Sequence, residues 1–290
     1  MFLEQLINAV TIGSIYAIVA LGYTLVFGVL GIINMAHGEI FMFGAFMGVV
    51  VTSTLGGPLW LAFLVAILLS AFMGYLLEQF ALRPLRRQKD VSHLAPLIST
   101  IGVSIFLENL AKELFGAGNH PVANSFSEAY VTLGSINVYY VQIFIFGIAV
   151  VLMMALSFWL SKTKGGKALR ATAENLETAS LLGINTKKMI TLTVVIASVM
   201  GGIAGILVGM AFSSVNPQMG LSIGLKGLAI IILGGMGSVR GAVVGGMILG
   251  ISETLVVVLG YSGFRDSIAF IIIIVIILLR PQGLFGQKAA

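Results

Sequence analysis

Long apolar runs alternate with short polar intervals along the whole chain, and this alternation predicts helices at about 6–30, 38–54, 58–80, 94–115, 138–160, 189–211, 221–236, 241–259 and 264–280. A run of about 20 apolar residues crosses a hydrocarbon core roughly 30 Å thick. Only segments that satisfy their own backbone hydrogen bonds can do so, so the expected fold is all-α: a polytopic transmembrane helical bundle of eight or nine spans. The run from Leu221 to Met236 sets the ambiguity. It is about 24 Å long as a helix, which suits a tilted span, a half-helix or a re-entrant segment.

The longest polar interval, KTKGGKALRATAENLETASLLGINTKK from Lys162 to Lys188, separates two apolar halves. A cationic, Gly-containing turn leads into KALRATAENLETASLL, which reads as one helix ended by a left-handed cap at Gly183. Leu169, Ala173, Leu176, Ala179 and Leu182 recur at spacings of three and four and so share one face, opposite Arg170, Glu174, Glu177 and Thr178. Such an amphipathic helix is a solvated connector, an interfacial helix or a docking element.

Composition removes other classes. With 58% hydrophobic and 9% charged residues and a mean hydropathy of +1.08, the 290 residues form one membrane domain, 1–290, with no soluble domain appended. The net charge of +5 does not point to nucleic acid, because the basic residues sit in short loops where they act as topology signals. In a nine-span arrangement all of the 16 Lys and Arg residues except Lys112, Lys226 and Arg265 fall on one side. That side is expected to be the cytoplasm of a bacterial inner membrane, with the N-terminus outside and the C-terminus inside. The N-terminal run lacks a basic leader and a small-residue cleavage site and reads as an uncleaved first span. The absence of cysteine excludes disulfides and thiolate chemistry. GGKA at Gly165–Ala168 lacks the spacing and hydroxyl of a phosphate-binding loop, so no ATP hydrolysis is expected of this chain.

Two interruptions carry the candidate chemistry. In GIINMAHGEIFMFGAF, the residues Asn34, His37, Gly38 and Glu39 lie between apolar runs with no Lys or Arg nearby. Polar groups placed there are costly unless paired or wetted, which leaves a pathway or gate, or a hydrogen-bonded cap at a helix break. A catalytic His37/Glu39 pair is a weaker alternative, since no nucleophile or zinc-type spacing accompanies it. The second interruption, FSSVNPQMGLSIGLKG, holds Asn216, Pro217 and Gln218. In each half a long span runs into an Asn-containing break and then a Gly-rich segment, on opposite sides, as an inverted repeat with a central substrate route would require. Glu253 sits deep in an apolar run without a local partner and is a further pathway candidate.

These residues resemble the permeases of branched-chain (hydrophobic) amino acid ABC importers, of the LivH type. The likeness is carried by NMAHGEIFMFGAF, RPLR, LISTIGVSIFLEN, RATAENLETASLLGIN, KGLAIIILGGMGSVRGAVVGG and LLRPQGLFG, in that order along nearly the whole chain. The order Glu177, Ala179, Gly183 is similar to the loop by which ABC membrane subunits meet their ATPases, with Thr178 where Ala is commoner. The resemblance implies a coupling segment holding Arg170, Glu174, Glu177, Ala179, Leu182, Gly183 and Asn185. It also implies a second related permease, two ATPase subunits that use ATP and Mg²⁺, an external substrate-binding protein and no cofactor in this chain. Import of urea or short amides on the same scaffold, an ion-coupled carrier or a channel stand as alternatives.

Overall fold

The computed structural model describes residues 2–86, 94–122, 129–133, 136–280 and 282–286. Arg87 and Lys89 of the basic loop, 123–128 of the polar loop and Lys288 lie outside the described residues. The helices are α1 (Phe2–Leu30), α2 (His37–Val49, prolonged by a π turn to Thr54), α3 (Leu59–Leu76), a π segment (Leu77–Leu82) and α4 (Arg83–Arg86), then α5 (Ala95–Phe115) and α6 (Tyr140–Lys162). After them come α7 (Lys164–Glu174), α8 (Leu176–Leu181), α9 (Thr186–Phe212), α10 (Met219–Gly234), α11 (Val239–Val258) and α12 (Arg265–Leu279). Every apolar run predicted above is a helix.

Six of them are long and apolar enough to cross a membrane: Leu3–Leu30, Leu59–Arg86, Tyr140–Lys162, Thr186–Phe212, Val239–Val258 and Ser262–Leu279. That number, not eight or nine, meets the length criterion. The 13 residues of α2 and 16 of α10 are too few, and Glu108, Lys112 and Glu113 dilute α5.

The polar linker also departs from expectation. It is two helices, because Asn175 takes an extended backbone (φ −157°, ψ 115°) and its side chain accepts a hydrogen bond from the Thr178 N–H at 2.8 Å, capping α8. Gly165 and Gly166 belong to the first turn of α7 rather than to a loop; a Cβ on Gly166 would stand 2.1 Å from the Trp159 carbonyl, so α7 folds tightly against α6.

Contacts define two ends. At one end lie two small antiparallel sheets, β1 (His120–Pro121) with β4 (Ser214–Val215) and β2 (Tyr130–Leu133) with β3 (Ile136–Tyr139). The start of α1 joins them through the Asn137 N–H, which donates to Glu4, and the end of α2 through Ser53, which donates to the Pro121 carbonyl. At the other end the last turn of α1 shares a cleft with α7, α8, the α10–α11 turn and Phe285, and the Leu284 N–H of the tail donates to the Leu233 carbonyl. Between them α1 and α9 form the enclosed centre, whereas α3, α6 and α12 turn broad apolar faces outward.

The helix pairs α1–α2 and α9–α10 repeat one another in inverted orientation. Six residues separate α1 from α2 and α9 from α10, and each gap opens with a left-handed residue, Gly31 (φ +65°) and Ser213 (φ +51°). In the first gap His37 N–H donates to the Asn34 carbonyl at 3.3 Å; in the second Met219 N–H donates to Asn216 at 3.2 Å. The paired frames are therefore Asn34-x-x-His37-Gly38 and Asn216-x-x-Met219-Gly220. α1 runs from the sheet end to the linker end and α9 the other way, so the breaks enter from opposite sides.

Candidate functional site

Each break carries the chain back into the bundle, so that α2 and α10 begin in its interior. His37 packs against Gly22, eight residues or about 12 Å of helix before the end of α1, and against Gly201 of α9. There the two helix starts meet. A Cβ on Gly38 would stand 2.2 Å from the Gly220 carbonyl oxygen, and one on Gly220 would stand 2.3 Å from the Glu39 carboxylate. At Gly38 no side chain larger than hydrogen fits, because the obstacle is backbone; at Gly220 it is the end of the Glu39 side chain.

Around it sit the buried polar groups. Asn34 accepts the Ala36 N–H at 3.2 Å, fixing the turn before α2. The Met35 N–H donates to Thr100 of α5 at 3.2 Å. Glu39 is fully buried and accepts from the Ser104 hydroxyl of α5 at 3.0 Å, while its second oxygen has no hydrogen-bond partner. Beside it the Tyr23 ring meets His37 edge-on, centroids 4.6 Å apart. A buried acid with one short neutral partner inside apolar helices is costly to keep.

The structure thus brings Asn34, His37, Gly38 and Glu39 into one junction. It does not bring in the side chains expected from the second break. Asn216 turns to the sheet end and donates to Asn119 at 3.1 Å, and Gln218 is exposed. Glu253 belongs to another cluster, tying α1, α10, α11 and α12. One oxygen accepts from Tyr16 at 2.8 Å and from Arg265 at 2.9 Å, the other forms an ion pair with Lys226 at 2.8 Å, and Lys226 also reaches Asp266 at 2.7 Å. Two cations face two carboxylates, so the cluster is neutral as a whole. The three basic residues that broke the charge pattern are therefore all paired, since Lys112 meets Glu108 at 2.6 Å.

At the linker end, Ala179 is buried while Arg170, Glu174 and Glu177 are exposed. The single apolar face expected there is divided: Gly166, Leu169 and Thr172 bury one side of α7, and Ala173 and Leu176 are exposed. Leu181 and Leu182 stand 88% and 75% exposed. Gly183 (φ +82°) ends α8, its N–H donating to the Ser180 carbonyl and that of Ile184 to Ala179, both at 3.0 Å, the reciprocal pair of a Schellman cap. Asn185 then caps α9 through the Lys188 N–H at 3.1 Å.

Residues 5–279 match the family described as branched-chain amino acid transport system, permease component. The chain belongs to this family. It is 38% identical to the high-affinity branched-chain amino acid transport system permease protein LivH of Escherichia coli, and 36% identical to BraD of Pseudomonas aeruginosa, each over 99% of this chain and 96% of the relative. It is 24% identical to the ribose import permease protein RbsC of Haemophilus influenzae over 98% of this chain and 87% of that one. A solved structure, PsaBC from Streptococcus pneumoniae in complex with Fab, covers 95% of this chain and 91% of its own with TM-score 0.52 at 13% identity, a likeness of fold alone. The chain is a multi-pass inner-membrane transport permease.

Several residues of this permease's junction were not singled out from sequence. Thr100 and Ser104 lie one helical turn apart on the buried side of α5, with Pro96 a turn earlier. Small polar residues at a spacing of four inside LISTIGVSIFLEN are a readable sign of a face turned to a polar neighbour. No comparable local sign links Tyr16 or Lys226 to Glu253, since those contacts join residues 237 and 27 positions apart.

Proposed function

We propose that this permease forms one half of the translocation pathway of an ATP-driven importer of branched-chain aliphatic amino acids. A second, related permease supplies the other half, two cytosolic ATPase subunits supply the energy with ATP and Mg²⁺, and an external binding protein delivers substrate. The linker end is cytosolic. The six membrane-crossing helices, α5 and the half-helices α2 and α10 make up the nine passes, and the junction at Asn34, His37, Gly38 and Glu39 is the gate. The names borne by relatives 36–38% identical over 99% of the chain support the branched-chain substrate over urea or short amides.

The observation that carries the coupling is α8: a short, doubly capped helix whose Leu181 and Leu182 are presented outward beside exposed Leu176. Apolar side chains so exposed outside the bilayer fit a groove on a partner, and the flanking Arg170, Glu174 and Glu177 supply a polar rim. An ion-coupled carrier would need a charged relay, and the buried charges of the second cluster are already matched to one another.

Leu182→Asp tests this. An unpaired carboxylate desolvated in the groove costs several kcal/mol, enough to lower association by about two orders of magnitude or more. The variant inserts normally, a reporter fused after Lys188 remains cytosolic, and the ATPase subunits no longer co-purify. Wild-type co-purification together with wild-type substrate-stimulated ATP hydrolysis in vesicles would show that α8 does not dock.

A further inference from the structure

A cleft of about 610 Å³ opens between the end of α3 and the start of α9, apart from the junction and meeting α8 only at Leu176. Its walls are Tyr75, Glu78, Gln79, Arg83 and Arg86 on one side and one face of the first turns of α9, with Lys187, Lys188, Ile190 and Val195, on the other. It coincides with the π segment Leu77–Leu82, where the widened helix turns Glu78 inward until it is buried. Arg86 spends one donor on Glu78, and among the described residues Arg83 bonds the neutral Gln79 alone. Arg83, Lys187 and Lys188 form no ion pair with any described carboxylate, and the Nε donors of Arg83 and Arg86 are buried without a partner. One oxygen of Glu78 is also unpartnered, but the lining still sets Arg83, Arg86, Lys187 and Lys188 against that single carboxylate, so the cleft carries an excess of positive charge.

We propose that this cleft binds the phosphodiester headgroup of an anionic phospholipid. Charge alone fits any phosphate, but the rest of the cleft is apolar: Tyr75, Ile190, Leu192 and Val195 line it, and beyond Tyr75 the outward face of α3 continues in exposed Phe72 and Leu68. That is a track for an acyl chain leading away from a basic pocket at a membrane boundary. The neighbouring cleft of about 680 Å³ at the same end makes the contrast, being lined by Glu174, Thr172 and Ser238 with no Lys or Arg. Bound there, the lipid bridges α3 to α9 just where α9 leaves the α8 cap, and so braces the coupling segment against the bundle.

The test is native mass spectrometry of the purified full chain after exchange into phosphatidylglycerol or phosphatidylcholine. Wild type retains phosphatidylglycerol selectively. At about fivefold per basic residue, Arg83→Gln/Lys187→Gln/Lys188→Gln lowers that retention about a hundredfold. Lys162→Gln/Lys164→Gln/Lys167→Gln, which removes equal charge at the same end outside the cleft, leaves it unchanged. Val195→Trp fills the apolar floor with all charges in place and also loses the lipid, which keeps the test decisive if the triple variant does not fold. Equal retention by the cleft variant and wild type overturns the proposal. So does displacement of the lipid by millimolar inorganic phosphate or glycerol 3-phosphate, which would make this a soluble-anion site. So does lipid bound to the isolated chain but absent from the complex purified from native membranes, which would make the cleft a protein dock.

Discussion

The two helix breaks, 31–36 and 213–218, have one backbone design and two kinds of side chain. Both follow a long helix, open with a left-handed residue, close an Asn-led turn and deliver a glycine to the crossing where α2 meets α10. Beyond that they part. His37 and Glu39 of the first are buried, whereas the matching positions of the second are Met219 and exposed Leu221. Asn34 is enclosed, while Asn216 reaches the loop at the sheet end. Packing demands the glycines in both halves, so they say little about function. A buried carboxylate stands in the first break where leucine stands in the second, and this is the asymmetry on which the proposed gate rests.

The largest expected effect tests the shared part. Gly38→Val places carbon against the Gly220 backbone, which cannot yield, at a cost of about 3 kcal/mol or more, so the protein does not accumulate in membranes. Gly220→Ala meets only the Glu39 side chain and is milder, and Gly220→Ala/Glu39→Ala recovers stability. Equal losses at the two glycines, with no recovery, would break the description of the crossing.

The ion-paired cluster around Glu253 holds its polar groups for packing, unlike the half-satisfied Glu39. Lys226→Met leaves Glu253 short of a partner in the neutral cluster and lowers stability by about 3 kcal/mol, read as the thermal unfolding midpoint in detergent. Lys226→Met/Glu253→Gln recovers much of this. Asp266→Asn, at a carboxylate 70% exposed, changes stability by less than about 1 kcal/mol. A smaller effect separates the two turns: Asn34→Ala removes an enclosed hydrogen bond and costs about 1 kcal/mol, more than Asn216→Ala. Smallest, and opposite in sign, Ser213→Gly relieves the left-handed residue of the second break and stabilises by about 1 kcal/mol.

Helix positions were legible in the sequence because apolar run length is what the bilayer selects, and each run became a helix within a few residues. The shortness of α10 was legible as well, since the run from Leu221 to Met236 is only about 24 Å long as a helix; that both breaks lead into the bundle interior was not, because their path is set by tertiary contact. The linker misled for a local reason: the apolar spacing from Leu169 to Leu182 is unbroken, and Asn175 within it overrode the period by capping a new helix. Asn34 to Glu39 stood out because such residues are rare in apolar runs, but their partner Ser104 and the crossing glycine Gly220 are 65 or more positions away.

The central claim is that Glu39 serves the gate and not the fold. Substrate uptake per assembled complex, measured in proteoliposomes for Glu39→Gln beside Gln218→Ala, tests it directly. Glu39→Gln keeps the bond from Ser104 and its volume, so the account predicts unchanged assembly and thermal midpoint with uptake reduced at least about tenfold, a barrier change of roughly 1.4 kcal/mol. Gln218→Ala leaves uptake near wild type. Normal uptake per complex with impaired assembly of Glu39→Gln would mean that the buried carboxylate is a structural cap, and would contradict the account.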